Sequence, residues 1–307
     1  MNKDVNLHLY ILLAVINIGV FVFLWSGAGS NGLDNFRLLD WGANFAPLTL
    51  TGEPWRLLTS AFLHGSWTHL LLNMYMLFVL GSVLERAVGA LRFATIYLLS
   101  ALGGSLVSAF WYGYHEVQGF KSAFGVMVTN VGIRPVVSVG ASGALMGLAG
   151  AAAIWAIAQF SAATDSPNDS NVRISLSAVG QVIVINLLSG FVTSGIDQAA
   201  HLGGLSTGLL AGAMLYPYPS APARLSGAVL PVTLGLAGSA AIVLGALHGQ
   251  NEQLLDWRNT LIEQRTQAQA KAASTRGKEQ AKEEVLKEPQ AVAEALKQGG
   301  RTIQGSV

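Results

Sequence analysis

The 307-residue chain contains no cysteine, which excludes disulfides, thiolate zinc sites and a cysteine nucleophile. Charge is nearly as scarce. Asp, Glu, Lys and Arg make up 11% of the residues, where a soluble domain carries about a quarter. The charge that exists is concentrated at one end: eight of the 17 acids and nine of the 18 bases fall in residues 250–307. The preceding 249 residues keep nine of each, too few to cover a soluble surface of that size. A net charge of +1 offers no polycationic face to nucleic acid. No glycine-rich phosphate loop follows a strand pattern, so no cofactor is implied.

In place of charge there is hydrophobic sequence, 51% of the chain. It is gathered into seven stretches near the roughly 20 residues that cross a bilayer as helix. They run over about 9–25, 66–85, 93–112, 142–160, 174–193, 198–216 and 225–247. The fold class is therefore an all-α polytopic membrane protein. Only Met1 to His8 precede the first stretch and no small-residue cleavage site follows it, which reads as a retained span, not a signal peptide. No Arg- and Ser-rich transit peptide is visible. Residues 26–65 and 113–141 are the two long loops, 161–173 is a polar loop, and the prolines of 217–224 break the chain before the seventh stretch. From about residue 250 the composition turns to Ala, Gln, Lys and Glu, too poor in apolar surface for a core of its own. Three regions result: a core of six spans over 1–216, a linker with the seventh span over 217–249, and a polar tail over 250–307.

Charge orients these spans weakly. With the N-terminus inside, the cytoplasmic side carries Lys3, Arg86, Arg92, Arg173 and Arg224, against Arg37, Arg56, Lys121 and Arg134 outside. The balance favours N-in.

Topology says more. The second, fourth and sixth spans cross in the same direction, so their N-terminal ends share one side. Ser142 opens the fourth and His201 lies about four residues into the sixth, a difference of about one helical turn in depth. His69 and Asn73, four apart, project from one face of the second span at the same level. Polar groups are costly in a bilayer unless partnered or functional. A nucleophile and a base held at one depth fit peptide-bond hydrolysis: Ser142 attacks a carbonyl after His201 takes its proton. His69, Asn73 and the Ser142 backbone N–H are the candidate donors to the oxyanion. Gly143, Gly147 and Gly150 line one stripe of the fourth span and Gly204, Gly208 and Gly212 one of the sixth, an arrangement that lets helix backbones touch.

Each residue also has a plainer reading. Ser142 alone is a helix N-cap, His201 alone a hydrogen-bonded structural histidine, and the glycine stripes packing alone. His64 reads as a loop-ordering or hydrogen-bonding group. A metal site from His64, His69 and His201 lacks a nearby carboxylate or an H-E-x-x-H motif. Asp197 reads as a cap on the sixth span or a solvated loop acid, not a third catalytic member. Glu85 and Arg86 read as stabilising the end of the second span. His8, His115 and His248 read as boundary residues. A transporter is disfavoured, because the polar groups form one cluster near one face and no internal repeat is visible.

The pattern resembles the rhomboid family of intramembrane serine proteases over about residues 9–216. The resemblance rests on Trp55-Arg56, on His64 with His69 and Asn73, and on Glu85-Arg86 with Gly89 and Arg92-Phe93. Gly140, Ser142 and Gly143 complete it, with Ala200, His201 and Gly204. It implies a six-helix core with one further C-terminal transmembrane helix, the 6+1 arrangement, and a Ser142–His201 dyad below the membrane surface in a water-filled cavity. It also implies oxyanion roles for His69 and Asn73 and structural roles for Trp55 and Arg56 in a half-submerged loop. It implies as substrates single-span membrane proteins cut in or near the transmembrane segment. The absence of organelle targeting fits a bacterial-type plasma membrane, where the active site is expected toward the extracytoplasmic face. One position departs: family members often carry an aromatic residue four after the serine, where this chain has Met146, whose thioether can fill the same space. The alternative is an inactive rhomboid-like protein that binds transmembrane segments; retention of both Ser142 and His201 disfavours it.

Overall fold

The computed structural model describes residues 8–28, 32–123, 126–161, 173–192, 195–216, 230–248 and 251–267, with 269–271, 273–275 and 278 beyond them. Two compact units divide the chain, Met1–Leu255 and Asp256–Val307. In the second, residues 256–267 are helical and mostly exposed.

Helices form in the first unit wherever the sequence is apolar for long enough. In order they are α1 (Leu9–Ser26), the short α2 (Asn35–Asp40), α3 (Ala46–Thr49) and α4 (Arg56–Thr59), a 3₁₀ turn at Ser60–Phe62, α5 (Trp67–Val88) and α6 (Ala90–Tyr114). A hairpin of β1 (Glu116–Ala123) and β2 (Val126–Ile133) follows, antiparallel, with Glu116 opposite Ile133. Then come α7 (Ser142–Ser161), α8 (Leu176–Val192), α9 (Gln198–Leu215) and α10 (Leu230–Leu247). The protein is thus a helical, multi-pass membrane protein. Large apolar side chains such as Leu71, Leu72, Tyr75 and Phe78 on α5 are exposed, as lipid-facing surface requires.

Among the described residues five helices, α1, α5, α6, α7 and α10, are long and apolar enough to cross a membrane. The remaining two of the seven expected stretches also form helices, but α8 is a shorter apolar helix and α9 is diluted by glycine, Gln198, His201, Ser206 and Thr207. The start of the seventh stretch, 225–229, and the proline-rich break before it lie outside the described residues. The hairpin is a departure from the expected loop at 113–141. Its strands pair from Glu116 opposite Ile133 to Ala123 opposite Val126, and the β-branched residues of 126–133 were a signal that the apolar-span reading passed over.

The centre of the unit is α6 with α7, each about 67% buried, while α1 and α10 are peripheral. α7 and α9 run in parallel with almost no side chain between them. A Cβ on Gly204 would land on the Gly143 backbone, one on Gly147 would lie 2.8 Å from the Gly204 carbonyl, and one on Gly212 would lie 2.7 Å from Ala151 Cα. The small residues therefore set how close the helices come. α6 crosses them antiparallel, its own Gly104 leaving room for the Ala200 carbonyl, 2.8 Å from where a Cβ would stand.

Two further ties fix the ends. Glu85, buried near the end of α5, accepts from the backbone N–H of Leu9 and of Tyr10, each at 2.9 Å. It thereby caps α1 in the absence of a side-chain cap at His8, whose Nδ1 lies 3.5 Å from the same carboxylate. After α10, the Asn251 amide donates to the Gly113 carbonyl and Gln253 bridges Glu116 and the Ile133 N–H, while Leu254 is fully buried. The chain leaving the seventh helix is so stitched to the end of α6 and the foot of the hairpin.

Gly208→Leu tests the α7–α9 contact, because its side chain has no space except the Gly147 backbone. It is expected to cost at least about 2 kcal/mol, a drop of about 4–8 °C in the melting temperature in mild detergent. Gly180→Leu on α8, where nothing lies within 4 Å, is expected to leave melting unchanged or slightly raised.

Candidate active site

The loop before the second long helix is organised by one arginine. Arg56 is buried, and its guanidinium binds Glu53 at 2.7 Å, the Leu39 carbonyl at 2.7 Å and the Ala43 carbonyl at 3.1 Å. It also lies 4.6 Å from the centre of the Trp55 ring. Three separate turns of loop are held together by this bidentate cation, the structural part expected of Trp55 and Arg56. On this platform rests the strand leading to Ser142. Asn44 pairs with Ser138 through both backbone groups, and the Gly140 N–H donates to the Ser60 carbonyl at 2.9 Å.

Gly140 is the tightest point. Its φ of +120° is one that side chains rarely adopt, and a Cβ there would lie 2.6 Å from His69 Nε2 and 3.5 Å from Asn73 Nδ2. The start of α5 is thus pressed against the turn two residues before Ser142. α5 begins where it does because Ser66 caps it, its hydroxyl accepting from the His69 N–H at 3.2 Å. The Asn73 amide donates to the His69 carbonyl at 3.1 Å along its own helix.

Ser142, half-buried, opens α7. The next residue, Gly143, faces the carbonyl of Ala200, 3.3 Å from its would-be Cβ, and Ala200 precedes His201. The nucleophile and base candidates therefore stand on backbone segments in contact. His201 is 4% exposed and its Nδ1 is buried without a hydrogen-bond partner among the described residues. The Asn186 carbonyl of α8 faces its ring, and the ring is within electrostatic reach of His69. Met146, four residues after Ser142, is fully buried.

Asp197 is the N-cap of α9, as expected, its Oδ1 accepting from the Ala200 N–H at 2.9 Å. Its Oδ2 accepts from Ser108 of α6. His64, read as a loop-ordering or hydrogen-bonding group, faces the Phe62 backbone carbonyl. It is fully buried, neither ring nitrogen has a hydrogen-bond partner among the described residues, and the ring packs edge-on against His69 with centroids 5.1 Å apart. Burial first, and then the neighbouring His69, push its pKa down to about 3, against a weak opposing pull from the Phe62 carbonyl. His64 is thus a neutral wedge behind His69. Among the described residues no group of three or more His, Asp or Glu side chains is arranged to hold a metal.

The seating of Gly140 on His69, the clamp by Ser108, and Gly104 of α6 were not read from the sequence. A glycine two residues before the candidate serine and the Gly103-Gly104 pair inside an apolar run were the available signals.

The rhomboid-domain family model matches residues 51–218. The chain is 32% identical over 263 residues to Rhomboid protease AarA of Providencia stuartii, covering 83% of this chain and 89% of that protein. It is 32% identical over 241 residues to Rhomboid protease GluP of Bacillus subtilis, covering 76% of this chain and 40% of that one. Identity to RHOMBOID-like protein 5 of Arabidopsis thaliana is 36% over 178 residues, 58% of this chain and 49% of that protein.

Gly140→Ala is expected to lower stability by about 1–3 kcal/mol through strain and the collision with His69. Trimming the imidazole in the His69→Ala background relieves the collision but not the strain. A double-mutant cycle of thermal melts is thus expected to give a favourable coupling of about 1 kcal/mol. Strict additivity would mean that His69 does not rest on Gly140.

Proposed function

Because the chain belongs to the rhomboid family, we propose that it is an intramembrane serine endopeptidase that cleaves single-span membrane proteins in or near their transmembrane segment. The observation that supports this reading is the close approach of Gly143 to the Ala200 carbonyl, the residues next in sequence to Ser142 and His201, where two parallel helices meet. In the proposed reaction His201 removes the Ser142 hydroxyl proton as Oγ attacks the scissile carbonyl. The tetrahedral oxyanion is met by donors from the Asn73 amide, the His69 ring and the Ser142 N–H. Collapse of that intermediate breaks the C–N bond, with His201 returning the proton to the leaving amine. The acyl-enzyme is then hydrolysed by water, His201 acting as base once more. For the amide to serve the oxyanion, Asn73 has to turn from its bond to the His69 carbonyl, a rotation within reach of its side chain.

The proposal includes the 6+1 count, with α8 and α9 as the fifth and sixth spans and α10 as the seventh, and the division into 1–216, 217–249 and 250–307. It places the active site toward the extracytoplasmic face of a bacterial-type plasma membrane. Substrate helices have to unwind locally to offer a carbonyl, so helix-breaking residues near the cut favour cleavage.

The test is cleavage of a panel of single-span substrates by the purified protein in proteoliposomes. Wild type is expected to cut at one position, Ser142→Ala and His201→Ala to retain less than about a thousandth of the rate, and Asn73→Ala to lose about 10²–10³-fold. A wild type that binds these substrates and cuts none would shift the reading to a binding-only protein of the same family.

A further inference from the structure

In a serine–histidine pair the base must carry a full positive charge while the serine proton is on it, and inside a bilayer that charge needs compensation. Among the described residues no acid bonds the ring directly, and His201 Nδ1 is buried without a partner. The groups turned toward His201 are His69 from α5, the Asn186 carbonyl from α8 and Asp197 from the start of its own helix. Of these only Asp197 is an anion. It stands one turn before His201, and the His201 N–H donates to its backbone carbonyl at 3.2 Å. Both of its carboxylate oxygens are engaged, Oδ1 by the Ala200 N–H and Oδ2 by the Ser108 hydroxyl, so α6 and α9 hold the charge in one orientation. Ser108 is itself buried, and Tyr112, one turn further along α6, also lies within reach of the Asp197 charge. A cap alone requires one oxygen; a second clamp from a different helix, on a serine with no other side-chain hydrogen bond among the described residues, requires a further reason.

We propose that Asp197 is a positioning residue for the His201 step: a clamped anion that stabilises the imidazolium through space while the Ser142 proton resides on it, without a hydrogen bond to the ring. The proposal rests on the Ser142–His201 reading. It differs from a triad, because the carboxylate is turned to Ala200 and Ser108 and leaves Nδ1 free. It also differs from a simple cap, because the charge itself matters and not only the oxygen that accepts from Ala200.

Three substitutions separate these roles in the full-length protein. Asp197→Asn keeps a good cap and removes the charge. Asp197→Glu keeps the charge at some loss of cap geometry, and Asp197→Ala removes both. The measurements are kcat and KM on a single-span substrate in proteoliposomes, with melting temperature in detergent. Asp197→Asn is expected to lower kcat by about tenfold to a hundredfold, the order for the loss of one nearby charge at an effective dielectric near 20, with KM and melting unchanged. Asp197→Glu is expected to restore most of kcat despite a lower melting temperature, and Asp197→Ala to lose both. An Asp197→Asn variant with kcat within twofold of wild type would overturn the proposal. So would a loss that follows melting temperature across the three variants, since that is the signature of a cap. Ser142→Ala and His201→Ala run alongside: if these still cleave, the dyad reading falls and the proposal with it. If they are inactive while Asp197→Asn is normal, only the role of Asp197 falls.

Discussion

The direct contact of the α7 and α9 backbones is the constraint on which the rest depends. Gly143 against Ala200 and Gly204, Gly147 against Gly204 and Gly208, and Ala151 against Gly212 form one parallel seam. In a bilayer the hydrophobic effect gives helices no reason to associate, so association rests on van der Waals contact and on small residues that permit it. The seam fixes the register of the two helices to within one residue. A shift along it would move Ser142 and His201 apart by a full rise per residue and would drive side chains into backbone. Gly104 extends the same logic to α6, which is how Ser108 comes to meet Asp197.

What holds the site outside the seam is polar, and it lies at the ends of the helices. Arg56 collects two carbonyls and a carboxylate from the first long loop, and Asn44 and Ser60 of that loop hold Ser138 and Gly140 ahead of α7. Asn44 also donates to the Ser105 carbonyl on α6 at 2.8 Å. The pattern is consistent: apolar helices supply rigidity in the hydrocarbon, and satisfied polar contacts position the groups at the boundary. His64 is the exception within this frame, a buried neutral imidazole that works by shape against His69.

The sequence reading was strongest where the physics is local. Seven apolar stretches became seven helices among the described residues, with ends within a few residues, because an apolar run of that length has few alternatives. The parallel sense of the second, fourth and sixth stretches followed from counting crossings, and the glycine stripes from their spacing. Asp197 was legible as a cap because capping depends on residues three apart. Long-range contacts were not legible. Glu85 was read as serving its own helix and instead caps α1, 76 residues away in sequence. The fit of His69 on Gly140 and the hold of Arg56 on Leu39 and Ala43 join distant segments, and no periodicity marks them. The hairpin before α7 is local, and its β-branched residues were passed over in a search for apolar runs.

The most direct measurement is to treat the full-length protein in mild detergent with a fluorophosphonate probe and locate the adduct by mass spectrometry. The account predicts phosphonylation at Ser142 and at no other serine, with the reaction lost in His201→Ala. An adduct on a different serine, or one on Ser142 that forms at an undiminished rate without His201, would contradict it.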